Sequence, residues 1–277
     1  MRALVFYSER KNTSSFLKYL KEELDLLKIQ SVFIPLTIEK KMSIDFEIDE
    51  ETDFAVSLGG DGTVLHVTRI LYHYSIPIFP VNFGNLGFIT EIKQNELIHM
   101  IKEYLNQKIG FDYRLMLETN IHHQRHHKVF TGFALNEITL TRTIPCKLIE
   151  IEVKIDEHYV SKYRADGLII ATPTGSTAYS LSAGGPILEP GLNNFIITPI
   201  SPHSLRLRPL VISSDKEIEL KVLTSGESMV TLDGQEIHYL KDHEIVVVKS
   251  AAKRIKIARP DKRNFYNVLK EKLNWQE

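Results

Sequence analysis

The residues of this 277-residue chain whose types could do chemistry fall into three short runs. The first is Gly59-Gly60-Asp61-Gly62-Thr63, set between an apolar run at 54–58 and a helical pattern from Val64 onward. Glycines at a strand-to-helix junction let the backbone turn sharply and approach a ligand with no Cβ in the way. The N–H groups at a helix start favour a phosphate. Gly59, Gly60, Gly62 and Thr63 are therefore candidate phosphate-binding residues. An acidic residue is out of place in a loop that only cradles anions. Asp61 makes sense if it accepts a proton from an attacking hydroxyl, or helps hold a metal ion already bound to phosphate. The alternative is a plain strand-to-helix turn closed by an Asx-type bond. Two familiar phosphate motifs are absent. There is no Gly-x4-Gly-Lys-Ser/Thr run, and a dinucleotide fingerprint begun at Gly60 would have Leu65 in place of its last glycine.

The second run follows Asp166-Gly167 and an apolar stretch at 168–171. It reads Thr172-Pro173-Thr174-Gly175-Ser176-Thr177-Ala178-Tyr179-Ser180-Leu181-Ser182-Ala183-Gly184-Gly185-Pro186. Small and hydroxyl residues of this density can bring backbone close to a flat base and bond its edge. A glycine- and serine-rich surface loop would look the same. The third is Asn136-Glu137 within an otherwise apolar strand pattern at 133–140. Neighbouring strand residues face opposite sides, so one of the pair points inward, where it needs polar partners. Ribose hydroxyls would serve, and so would solvent at an edge strand.

The elements that must position these runs divide the chain in two. Strand and helix patterns alternate through the first ~110 residues. Strands are expected at 3–7, 32–34, 54–58 and 76–81. Phe16, Leu17, Leu20, Leu24 and Leu27 fall on one helical face, with Asn12 or Thr13 available as its cap. A second helix runs from Val64 to about Tyr72, and a third carries Leu97, Ile98, Ile101, Tyr104 and Leu105. This alternation predicts a mostly parallel sheet with helices on its faces, an α/β domain over residues 1–111. From 112 to 260 the runs become strand-like, with period two at 149–155 and 217–222 and further strands at 245–248 and 255–258. This part reads as a larger all-β domain. Residues 261–277, helical at 264–273, are expected to pack back on the first domain.

Composition narrows the class. Hydrophobic residues make up 43%, and 34 basic residues nearly cancel 35 acidic ones. That is an ordinary globular balance and argues against a coat for nucleic acid or anionic membrane. One cysteine, Cys146, permits no internal disulfide and suits a reducing cytoplasm. The apolar start is too short for a signal-peptide core, and no run is long enough to span a bilayer. His122, His123, His126 and His127 could in principle hold a transition metal. Their spacing also fits the exposed turn of a hairpin.

The glycine-aspartate loop, the Asn-Glu pair and the long threonine-serine run, in this order, resemble the NAD kinase family from Phe54 to about Leu210. The loop alone is shared with diacylglycerol-type lipid kinases and phosphofructokinases, and the long run separates NAD kinases from them. The resemblance implies an N-terminal α/β domain, a C-terminal β-sandwich-like domain and NAD bound between them. It implies Asp61 as proton acceptor, and NAD contacts from Asp61, Gly62, Asn136, Glu137, Asp166, Thr177, Ala178, Tyr179, Ser180, Leu181 and Ser182. By position His66, Lys147, Arg164 and Gln235 join them. Many family members carry a second Asn before the Asn-Glu pair, where this chain has Leu135. The implied donor is ATP with Mg²⁺ or another divalent cation, held mainly by the donor phosphates and water, with no protein ligand assigned. The implied assembly is a homodimer or homotetramer. A lipid or sugar-phosphate kinase sharing the loop, or a sensor that binds NAD(P) without converting it, are the alternative readings.

Overall fold

The computed structural model describes residues 1–8, 13–36, 48–49, 51–84, 87–123, 127–143, 147–224, 227–260 and 263–275. They form two units, one of Met1–Tyr113 with Ile255–Glu277 and one of Arg114–Arg254.

In the first unit the strands Gln30–Leu36, Arg2–Ser8, Phe54–Gly59 and Ile78–Asn82 lie side by side and parallel. Every residue of Phe54–Gly59 is buried, as expected of a central parallel strand covered on both faces. Helix Ser14–Leu26 contributes Leu20 and Leu24 to the core, and helix Leu97–Leu105 contributes Leu97, Met100 and Ile101. Phe54, Phe79 and Tyr104 meet edge-on at 5.4–5.7 Å between ring centres. Helix Asp61–Leu71 buries Val64, Val67, Thr68 and Leu71. That apolar stripe anchors the helix, so its first turn is held where the strand Phe54–Gly59 ends.

The second unit is a β-sandwich of two six-stranded sheets. All the pairings within them are antiparallel. Both contribute to one core, with Ile149, Ile151, Val153, Leu220 and Val246 from one sheet and Ile138, Leu140, Leu168, Ile170 and Phe195 from the other. The period-two patterns therefore mark inward faces, as read from the sequence. The segment after Gly167–Ala171 lies against the outer face of the second sheet, where Ala183 and Leu188 pack on Ile169, Ala171 and Ile196.

Four expectations differ from the structure. The strand Ile255–Arg259, grouped above with the β-rich part, joins the first unit's sheet through Ile257 opposite Ile78. A short apolar run fits a parallel or an antiparallel neighbour equally well, and its local pattern does not choose between them. The terminal helix Phe265–Leu273 falls in the same unit, as expected. Thr13 occupies the N-cap of the first helix without a side-chain capping bond; Asn12 lies outside the described residues. The helix expected from Val64 already begins at Asp61, with Gly60 extended before it. Last, the single strand expected at 133–140 is two strands. His127–Ala134 belongs to one sheet and Glu137–Arg142 to the other, and the chain crosses between sheets at Leu135-Asn136.

Candidate active site

The first constellation is built around Asp61. Starting the helix at this residue puts a carboxylate in its first turn, where the backbone dipole favours negative charge. The side chain does not face an anion. Its Oδ1 accepts from the N–H of Ile89 at 3.2 Å, the N–H of Thr90 at 2.9 Å and the Thr90 hydroxyl at 2.9 Å. Its Oδ2 accepts from the N–H of Phe88 at 2.8 Å. The loop can come this close because Gly87 has no side chain; a Cβ there would stand 1.9 Å from Oδ1. Asn82, at the end of its strand, donates to the Thr90 hydroxyl at 2.9 Å. The carboxylate is thereby fixed in orientation. Oδ1, with three donors, has its acceptor capacity filled, while Oδ2, with one, keeps a lone pair for a hydroxyl. Gly59 is buried at the strand end, Gly60 and Thr63 are half-buried, and Gly62 is exposed at the helix start. His66 sits half-buried one turn on.

The second constellation lies wholly in the β-sandwich and centres on the crossing at Leu135-Asn136. The reason for the break in the strand is Asp233. Its Oδ2 accepts from the N–H of Leu135 at 3.0 Å, and its Oδ1 accepts from Asn136 and Glu137 at 2.8 and 3.2 Å. Three successive N–H groups thus bond a carboxylate in place of a neighbouring strand. On the other side, the Asn136 and Leu135 carbonyls accept from the Thr172 N–H at 2.8 Å and the Thr172 hydroxyl at 2.6 Å. The result is that both Asn136 and Glu137 are buried, at 8% and 6% exposure. One oxygen of each, Asn136 Oδ1 and Glu137 Oε2, has no hydrogen-bond partner among the described residues. Buried polar atoms are rarely left so, and two on adjacent residues make the pair a candidate for ligand hydroxyls or amides.

Burial, and then the neighbouring Asp233 carboxylate, push the Glu137 carboxyl up from its ordinary 4.5 to about 8, against a backbone hydrogen bond from Tyr179 that lowers it. Glu137 thus carries a proton at neutral pH and can donate as well as accept. The consequence for stability has a definite sign. Below pH 4.5 the group is protonated folded or unfolded. Between 4.5 and about 8 the unfolded chain releases a proton that the folded one keeps, so stability falls as pH rises, by on the order of a few kcal/mol in all. Glu137→Gln removes that dependence. Melting curves from pH 5 to 9 are expected to show the variant gaining on the native chain as pH rises, and parallel curves would contradict the assignment.

The remaining predicted residues are placed as follows. Tyr179 is exposed, Thr177, Ala178 and Leu181 are half-buried, and Ser182 is exposed, all on the short turns Thr174–Thr177 and Tyr179–Ser182. Ser180 differs. It is fully buried, its hydroxyl 3.0 Å from that of Thr198, which points to a packing role. Asp166 is tied to Arg142 by an ion pair at 2.8 Å. Lys147, Arg164 and Gln235 are exposed. Sequence reasoning missed Asp233, Thr172 as a clamp, and the Phe88–Thr90 backbone. His122 and His123 end the strand Leu117–His123 and His127 begins its antiparallel partner, with His123 opposite His127; His126 lies outside the described residues. Among the described residues no group of three or more His, Cys, Asp or Glu is placed to hold a metal.

A parallel-sheet unit with an acidic glycine loop is joined in one chain to a β-sandwich with buried polar atoms that lack partners among the described residues, and the known proteins that this chain matches are phosphotransferases. Residues 4–109 match the ATP-NAD kinase N-terminal domain and residues 135–259 the ATP-NAD kinase C-terminal domain. An NAD kinase of Nitrosomonas eutropha is 41% identical over 230 residues, 83% of this chain and 77% of that protein. Among solved structures, a yeast NADH kinase complexed with NADH is 25% identical with a TM-score of 0.84, covering 100% of this chain and 89% of that one. An NAD kinase from Archaeoglobus fulgidus in complex with ATP is 27% identical with a TM-score of 0.79, covering both chains fully. The chain belongs to the NAD kinase family.

Proposed function

We propose that this chain transfers the terminal phosphoryl group of ATP to the 2′-hydroxyl of the adenosine ribose of NAD, giving NADP. The observation that carries the reading is the Asp61 carboxylate, fixed by the Phe88–Thr90 segment with acceptor capacity remaining on Oδ2. Asp61 takes the proton of the attacking hydroxyl as that oxygen bonds to the γ-phosphorus and the bond from phosphorus to the ADP oxygen breaks. Backbone N–H groups around Gly60 and Gly62, at the helix start, orient the donor phosphates. The β-sandwich supplies most of the dinucleotide contacts. Asn136 Oδ1 accepts from a substrate N–H or O–H, and the protonated Glu137 donates to a ribose oxygen. Thr177, Ala178, Tyr179, Leu181 and Ser182 present the surface for a base, with Asp166, His66, Lys147, Arg164 and Gln235 as further contacts.

Mg²⁺, where bound, offsets charge on the donor phosphates. Its ligands are assigned to those phosphates and water, and the acceptor capacity left on Asp61 Oδ2 to the substrate hydroxyl. No helix of the described residues is long and apolar enough to cross a membrane; the composition supports a cytoplasmic place of action, and the family resemblance a homodimer or homotetramer. The test is NADP formation by the purified protein from NAD, ATP and Mg²⁺, read through an NADP-specific dehydrogenase. Robust formation is expected. NAD binding with no conversion by any triphosphate or polyphosphate would replace this reading with that of a sensor.

A further inference from the structure

Asp233 belongs to none of the motifs that mark the site, yet it holds the site's most unusual backbone. It lies between the strands Ser228–Leu232 and Glu236–Leu240, in a turn closed by the Gln235 N–H donating to the Leu232 carbonyl at 2.9 Å. Asp233 and Gly234 have φ of +51° and +63°. Two successive positive φ values are what a type I′ hairpin turn requires, and Asn-Gly satisfies them at least as well as Asp-Gly. The turn therefore does not explain the carboxylate. The crossing does: Leu135, Asn136 and Glu137 all donate to it, and Asp233 returns its own N–H to the Glu137 carbonyl at 2.9 Å. A carboxylate, with two acceptor oxygens, divides three converging N–H donors between them, one on Oδ2 and two on Oδ1.

We propose that Asp233 is a positioning residue for dinucleotide binding: its carboxylate sets the Leu135–Glu137 backbone so that the Asn136 and Glu137 side chains present their unsatisfied oxygens to NAD. It acts through that pair and does not itself touch substrate. The inference rests on the kinase reading above. It adds that one residue, about a hundred positions further along the chain, governs affinity for the acceptor and not for the donor.

Asp233→Asn separates this role from the turn. The Asn-Gly turn is retained, and the amide oxygen can still accept from Asn136 and Glu137. Its NH2 then faces the Leu135 N–H, donor against donor. Steady-state kinetics and calorimetric titration with NAD alone are the measurements, on Asp233→Asn and Asp233→Ala beside the native chain. The KM and dissociation constant for NAD are expected to rise about tenfold or more in Asp233→Asn and further in Asp233→Ala. The KM for ATP should stay within about twofold, and kcat should change less than the NAD terms. A folded Asp233→Asn with native NAD affinity, or with equal losses for NAD and ATP, overturns the proposal. Failure of both variants to fold also overturns it, since Asp233 would then support the sandwich at large. If the native chain is active and the variants behave like it, only this inference fails. A native chain that neither binds nor phosphorylates NAD removes both.

Discussion

Asp61→Asn is expected to lower NADP formation by roughly 10²- to 10⁴-fold, with a much smaller loss of NAD affinity. The substitution is nearly isosteric. The amide oxygen can take the place of Oδ1 and keep accepting from Ile89 and Thr90. The NH2 then takes the place of Oδ2, losing the bond from Phe88 and, more importantly, the lone pair that would receive the substrate proton. An amide nitrogen at that point cannot act as a base. The dinucleotide contacts assigned to Asn136, Glu137 and the Tyr179 region are carried by the other unit and are not disturbed. Turnover measured with saturating ATP, beside calorimetric titration with NAD and no donor, separates the two effects. Near-native turnover would remove Asp61 as the base. A large loss of NAD affinity would show instead that the carboxylate matters for binding or for the Phe88–Thr90 segment it holds.

How far the sequence reveals this site depends on whether the information is local. The strand-turn-helix setting of Asp61 was legible because the glycines and the flanking elements are neighbours in the chain. The α/β and β-sandwich classes were legible for a similar reason, since period and alternation are local signals. The partners of Asp61 were not: Phe88, Ile89 and Thr90 act through backbone N–H groups, which every residue has. Asp233 was less legible still. Its neighbourhood reads as an ordinary Asp-Gly hairpin, and the three N–H groups it serves come from 96 to 98 residues earlier in the chain. The Asn136-Glu137 pair was recognised while its setting was misread, because an apolar pattern that continues across a change of sheet looks like one strand. The burial of Ser180 follows from a tertiary contact with Thr198, which the hydroxyl-rich pattern of its own segment conceals.

Gly175→Ala is the second large effect, and it follows from backbone meeting backbone. A Cβ at Gly175 would stand 2.1 Å from the Asn136 carbonyl oxygen, 2.4 Å from its carbon and 2.7 Å from its Cα. Such a clash is relieved cheaply only when one side can retreat. Here neither can. The Asn136 carbonyl is held by the Thr172 N–H and the neighbouring N–H groups by Asp233, while the Gly175 N–H itself donates to the Thr172 hydroxyl at 3.1 Å. Overpacking against a fixed wall of this kind costs about 3 kcal/mol or more, which corresponds to a fall of roughly 10 °C in melting temperature for a chain of this size. Because the displaced atoms belong to Asn136, NAD affinity should fall with stability, by at least about tenfold. Gly191→Ala is the control: a Cβ there meets nothing within 4 Å, and both quantities should stay native. Were Gly175→Ala to melt and bind like the native chain, the close approach between the threonine-serine run and the Asn-Glu crossing would not exist in solution. The account of Asp233 would then lose one wall of the clamp on which it depends.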